Sequence, residues 1–310
     1  MMRATWTVLA GLCLAVATLP VRGLAAPAVA GSREGRIQHG GLTRTYTIHV
    51  PGSVNTRTPA PLVLVLHGGG GAAQSTERMT GFSELADRKG FIAVYPNGID
   101  HRWNDGRGEV ARQDVDDVGF LTALVDQLRR TLPIDPSRVY ASGASNGAMM
   151  SYRLACERAE VFTAIAPVAG AMPEPLGPRC SPSRPVSIVA ISGTEDPLIL
   201  WNGGPVARNR GRTMSVPDSI SLWTRLNGCP SPATVTQEPD RDPADGTRVR
   251  REAYTPYQDV ASVVLYAVEG GGHSWPGSAR SGLPLTGRVS RDINPTEVIW
   301  SFFESHVKSK

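Results

Sequence analysis

Three side chains far apart in the chain, Ser145, Asp196 and His273, have the types and the order needed to transfer an acyl group. A serine hydroxyl attacks poorly until a base takes its proton, and the base needs an acid to orient it. Ser145 lies in Gly143-Ala-Ser145-Asn-Gly147, a G-x-S-x-G pentapeptide. An apolar stretch ending Val139-Tyr-Ala141 precedes it, and an apolar-faced stretch through Met149, Met150, Tyr152, Leu154 and Ala155 follows. Strand, tight turn and helix are the context that lifts such a serine to the mouth of a sheet. Side chains at 143 and 147 would collide with the strand or the helix, and glycine removes them. The helix N-terminus below the serine favours developing negative charge.

Only His273 and His306 follow Ser145. His306 sits near the chain end and reads as a solvated helix-face residue. His273 follows an apolar run in Glu269-Gly-Gly-Gly-His273-Ser-Trp-Pro, a loop able to swing an imidazole back over a sheet. The acid should follow the preceding strand, where Ser192-Gly-Thr-Glu195-Asp196-Pro197 offers two carboxylates. Asp196, held before a proline, is the better orienter, with Glu195 as its solvent-facing neighbour. Asp218 reads as a helix N-cap and Asp259 as a turn residue. Donors for an oxyanion are expected from the backbone N–H of Asn146 and from Gly69 in His67-Gly-Gly-Gly-Gly71. A phosphate loop is the rival for those glycines, but no Lys-Ser/Thr follows them.

The elements that must carry these groups alternate. Arg44–Val50, with Gly35–Gln38 before it, reads as an edge hairpin around His39-Gly-Gly41. Leu62–Leu66 is apolar without interruption, as a strand buried on both faces requires. A helix near Met79–Arg88, a strand Phe91–Tyr95 and a helix from Val118 to Leu128 follow. After the pentapeptide come strands Thr163–Val168 and Val186–Ile191, a helix Asp218–Asn227, a polar excursion Pro230–Arg251, a strand Val263–Val268 and a helix Pro295–Val307. The expectation is α/β: one domain, a mostly parallel sheet with helices on both faces.

The bulk properties fit that size of core. The chain has 310 residues, 41% apolar and 19% charged. Met1-Met-Arg3, an apolar run from Trp6 to Leu19 and small residues up to Ala30 form a secretory signal pattern. Residues 1–30 are therefore expected to be removed, leaving 31–310 as the catalytic domain, secreted or periplasmic and without a stable membrane anchor. The apolar run is shorter than the ~20 residues a span needs. Without Arg3 and Arg22 the 32 basic residues fall to 30 against 28 acidic, a balance of +2. No basic cluster with interleaved aromatics is present, so nucleic acid is not expected as a partner, and no partner protein is indicated. Export also suits the cysteines, of which Cys156 and Cys180 are expected to pair and Cys229 to remain odd. No spacing suggests a metal, and neither metal nor organic cofactor is expected.

Seven blocks carry a wider resemblance: His67–Gly71, Asp116-Asp-Val-Gly-Phe120, Gly143–Met149, Ala166-Pro-Val-Ala-Gly170, Gly193–Pro197, Asn227-Gly-Cys229 and Gly270–Gly277. In this order they resemble the secreted polyhydroxybutyrate-depolymerase/feruloyl-esterase group of α/β-hydrolases. The resemblance implies Ser145 as nucleophile, Asp196 as acid, His273 as base, and a short-chain or aryl ester as substrate. Such relatives have a cysteine near the place of Tyr257, so the partner of Cys229 is missing here. Trp103, Trp201 and Trp275 lie near the catalytic loops and are expected to line an acyl or aryl pocket, against the competing reading of ordinary packing. With no appended binding module visible, soluble esters or oligomers are favoured over crystalline polymer, by analogy alone. The competing classes are an acyltransferase or peptidase, and a silent secreted binding protein that keeps the fold.

Overall fold

The computed structural model describes residue 1 and residues 31–308 except 56, 109–113, 208, 231, 256–260 and 279–284. Residues 2–30 of the expected signal, Tyr257 and Asp259 lie outside the described residues. The chain opens with a hairpin, β1 (Gly31–His39) and β2 (Leu42–Val50), in full antiparallel register. Then come β3 (Ala60–Leu66), α1 (Ala73–Thr80), α2 (Phe82–Lys89), β4 (Ile92–Pro96), α3 (Asp117–Thr131), β5 (Ile134–Ala144) and α4 (Asn146–Glu157). They are followed by β6 (Ala164–Val168), β7 (Ser187–Gly193), the short β8 (Gly204–Pro205) and β9 (Arg212–Thr213), and α5 (Val216–Leu226). β10 (Thr234–Gln237), β11 (Arg248–Tyr254), β12 (Val263–Glu269) and α6 (Pro295–Glu304) complete the chain.

Ten strands form one sheet in the order β1-β2-β4-β3-β5-β6-β7-β12-β11-β10. The stretch from β4 to β12 is parallel, and two antiparallel strands flank it on each side. Alternation along β3 shows why its apolar run is continuous. Leu62, Leu64 and Leu66 point into one core with α3, α4 and α5, whereas Val63 and Val65 point into another with α2 and α6. This is the α/β-hydrolase fold in a single domain.

Four local readings change. The helix expected near Met79–Arg88 is two helices, because Gly81 takes a left-handed φ of 65° and ends α1, its N–H bonding the Glu77 carbonyl. The excursion Pro230–Arg251 is not a loop alone: it holds β10 and most of β11. Only Val249 and Ala253 of β11 are buried and all of β10 is exposed, so apolar alternation was nearly absent. The N-cap of α5 is Ser215 rather than Asp218, which sits three residues later with its N–H on the Ser215 hydroxyl. His306 is half-buried and tied down: its Nε2 lies 2.7 Å from the Ser262 hydroxyl and its Nδ1 2.6 Å from the Phe302 carbonyl.

Candidate active site

Ser145 falls between β5 and α4 with φ 56° and ψ −114°, a conformation that L residues rarely adopt. Packing enforces it. A Cβ on Gly143 would come 2.6 Å from the Gly147 backbone, and one on Gly147 would strike the carbonyl oxygen of Leu66 on β3. The two flanking glycines therefore let the elbow press against the neighbouring strand. The Ser145 N–H is held by the Val168 carbonyl at 2.9 Å. Its hydroxyl makes no hydrogen bond among the described residues.

Asp196 and His273 are brought together at the same C-terminal edge. The His273 Nδ1–H donates to Asp196 Oδ2 at 2.7 Å. The other carboxylate oxygen, Oδ1, accepts the N–H groups of Leu198 and Ile199, each at 2.8 Å. Asp196 is thus buried with both carboxylate oxygens occupied. The two loops are joined through their backbones. Thr194 N–H bonds Val268 O and Glu195 N–H bonds Gly271 O, both at 2.9 Å. At Gly193 the carbonyls of Gly271 and Gly272 leave no room for a side chain. Glu195, the alternative acid, is exposed and faces Arg288 at 3.3 Å. Ser145 stands on β5, with β6 between it and the β7 and β12 loops that carry the acid and base.

The glycine loop and the elbow meet as well. A Cβ on Gly69 would lie 3.8 Å from the Asn146 Cβ, and the N–H groups of Gly69 and Asn146 have no acceptor among the described residues. What holds them in place was not legible beforehand. The buried His67 receives the Gly98 N–H on Nε2 at 2.9 Å and donates its Nδ1–H to the Gly68 carbonyl at 2.8 Å. The Asn146 side chain clasps the backbone of Trp103 from both sides, at 2.8 and 3.1 Å, and its NH2 also reaches Asp105 at 2.6 Å. Trp103 closes the circuit by donating its indole N–H to the His67 carbonyl at 2.9 Å. Apart from His67 and Gly68, the partners of each bond lie 31 or more residues apart, so no local spacing marks the set.

This corrects one expectation. Trp103 is 1% exposed and Trp275 5% exposed. Trp103 is spent on its bonds to Asn146 and His67, and Trp275 packs edge-on against Phe82. Neither has surface left for a substrate. Trp201 is half-buried after the acid turn and keeps some.

Burial pushes the His67 imidazole down to about 4, opposed by its bond to Gly68 and assisted by His101 nearby. The neutral ring is the form that accepts from Gly98 and donates to Gly68. Because the folded value is depressed, the unfolded chain binds a proton first. Stability is fully present above about pH 6.5 and falls as the pH drops towards 4, by on the order of 3 kcal/mol. Urea midpoints measured between pH 7 and 4 should show this slope, and His67→Gln should flatten it by about one proton.

The disulfide Cys156–Cys180 ties the end of α4 to the loop after β6, as expected from the sequence. Cys229 is a free, partly buried thiol whose Sγ points at the Ala261 carbonyl.

The Esterase PHB depolymerase family profile matches residues 44–191. NocK of Nocardia uniformis subsp. tsuyamanensis, named as an esterase, is 33% identical over 275 residues, covering 84% of this chain and 79% of its own. Feruloyl esterase D of Neurospora crassa is 28% identical, covering 85% and 88%. Among solved structures, the acetyl xylan esterase of Aspergillus awamori superposes with a TM-score of 0.58 at 14% identity, over 88% of this chain and 99% of that one. With its strained Ser145 turn, buried Asp–His pair and α/β-hydrolase sheet, the chain belongs to the Esterase PHB depolymerase family and is a carboxylic-ester hydrolase.

Proposed function

We propose that the protein is an exported serine esterase that cleaves feruloyl or acetyl esters, or 3-hydroxybutyrate oligomers, through an acyl-enzyme on Ser145. The observation that carries this is the 2.7 Å bond between His273 Nδ1 and Asp196, which commits the imidazole to the tautomer with a basic Nε2. Nε2 takes the Ser145 proton as Oγ attacks the ester carbonyl carbon. The carbonyl π electrons move to oxygen, and the amides of Gly69 and Asn146 receive that charge. Collapse breaks the ester C–O bond, and the leaving alkoxide takes the proton from Nε2. Water then repeats the sequence on the acyl-serine, giving the acid and free Ser145. Trp201, half-buried just after the acid turn, supplies the aromatic surface for an acyl or aryl group in this reading. Export is supported by the charged, apolar, small-residue N-terminus and by the disulfide. Among the described residues no helix is long and apolar enough to cross a membrane.

The test compares kcat/KM for p-nitrophenyl acetate, methyl ferulate, acetylated xylan and hydroxybutyrate trimer. The feruloyl and acetylxylan names of the relatives favour methyl ferulate or acetylated xylan by about tenfold or more over the trimer, about 1.4 kcal/mol of transition-state binding. The reverse ranking would assign the hydroxyalkanoate substrate instead. A folded protein that hydrolyses none of them would be a binder on a hydrolase scaffold.

A further inference from the structure

A buried ion pair outside the triad lies behind the Ser145 turn. Asp105 is 2% exposed and Arg107 5% exposed. Arg107 donates its backbone N–H to Asp105 Oδ1 at 3.1 Å, and its Nε lies 3.4 Å from Oδ2. Oδ2 also accepts the Asn146 Nδ2–H at 2.6 Å, across 41 residues of chain. A bond to an ionised acceptor is shorter than one to a neutral acceptor and roughly twice as strong.

Asn146 opens α4, and its own N–H is one of the two oxyanion donors in the proposed mechanism. The peptide that joins it to Ser145 sets the direction of that N–H. Ser145 holds this peptide with φ 56° and ψ −114°, and strained backbone persists only where its surroundings over-determine it. On the strand side the close contact of Gly143 with Gly147 helps to do so. On the helix side the grip is on the Asn146 carboxamide. Its Oδ1 accepts the Trp103 N–H at 2.8 Å, and its Nδ2 donates to the Trp103 carbonyl at 3.1 Å and to Asp105 at 2.6 Å. Both ends of the carboxamide are fixed, and with them the Cα from which the N–H projects.

A lone carboxylate behind this turn would oppose the negative charge that grows on an ester oxygen. The Arg107 guanidinium offsets it, so the short bond to Asn146 is kept without a net charge. We propose that Asp105 is a positioning residue of the esterase. Through the Asn146 carboxamide it aims the Asn146 N–H at the oxyanion, while Arg107 balances its charge; this rests on the serine-esterase reading.

The test uses the full chain and two variants that cut the same link from opposite ends. Asp105→Asn keeps the shape but puts an NH2 where one acceptor stood. Asn146→Ala removes the carboxamide and leaves the backbone N–H and the Asp105–Arg107 pair. Each should lower kcat for p-nitrophenyl acetate by about ten- to hundredfold with KM within a fewfold of wild type, less than outright loss of an oxyanion donor. Melting temperatures show that both variants are folded. Phenylboronic acid reads the oxyanion position directly. Ser145 Oγ bonds boron, its proton passes to His273, and a boron-bound hydroxyl stands where the oxyanion would. The inhibition constant should rise by the factor by which kcat/KM falls, and the double variant should be scarcely slower than the worse single one. In the wild type alone, NMR should show the Asn146 carboxamide protons exchanging with solvent at least about a hundredfold more slowly than those of an exposed asparagine. Fast exchange would overturn the proposal, as would an unchanged kcat, a lower kcat with undiminished phenylboronate inhibition, or losses that multiply in the double variant. A wild type that neither hydrolyses p-nitrophenyl acetate nor binds phenylboronic acid would instead remove the serine-esterase reading beneath it.

Discussion

Ser145→Ala should lower kcat for p-nitrophenyl acetate by about 10⁴- to 10⁶-fold while leaving KM within a fewfold of wild type. The hydroxyl makes no hydrogen bond among the described residues, so on the proposed mechanism its loss removes a reacting atom and nothing structural. Asp196→Asn should fall nearly as far, by about 10⁴-fold, for a different reason. Its amide NH2 would face Nδ1 and turn it into an acceptor, which moves the ring proton to Nε2 and leaves no base for Ser145. The amides of Leu198 and Ile199 would still hold the oxygen of that side chain, so the fold should survive. On the proposed mechanism the three groups act as one unit, so Ser145→Ala combined with His273→Ala should be scarcely slower than either alone. Steady-state kinetics on purified variants checks all three, and losses that simply multiplied would show that the residues do not act together.

The second large effect is on stability. Arg44 on β2 and Asp117 at the start of α3 form an ion pair at 2.6 Å, with Arg44 2% exposed and Asp117 fully buried. The guanidinium also lies 3.8 Å over the Phe120 ring. Asp117→Ala would strand that cation in a closed core and should destabilise the protein by about 3–5 kcal/mol. It should slow catalysis too, because the other Asp117 oxygen accepts the Asn104 N–H at 2.7 Å, next to Trp103 and the oxyanion frame. Replacing both partners, as in Arg44→Met with Asp117→Leu, removes the stranded charge. That double variant should recover most of the stability but not the activity. Urea unfolding of the single and double variants separates the two effects, and a single variant as stable as wild type would refute the account.

The contrast between these predictions shows what was readable along the chain. Ser145 was legible because the elbow is local: the clash of residues 143 and 147 with strand and helix is decided within five residues. The pairing of His273 with Asp196 was legible because each follows a strong apolar run, and the proline at 197 separated Asp196 from Glu195. The frame behind them was not. His67 with Gly98, Asn146 with Trp103 and Arg44 with Asp117 pair across 31, 43 and 73 residues. Nothing in local periodicity reports such distances. Trp103 misled for the same reason: near a catalytic loop an indole suggests a pocket wall, and only the acceptor at His67 shows that it is packed away. β10 escaped because an exposed edge strand needs no apolar face, and β11 because it buries only Val249 and Ala253.

The bridge between residues 156 and 180 has a practical corollary for producing the enzyme. Its 24-residue loop encloses β6 and the segment behind the nucleophile, and closing a loop of that size stabilises by about 3 kcal/mol. A bacterial cytosol held reducing by thioredoxin would withhold that contribution, and the lone sulfur at 229 would offer a wrong partner when oxygen returned. Recombinant material from an oxidising compartment should therefore melt higher than cytosolic material, and dithiothreitol should erase the difference.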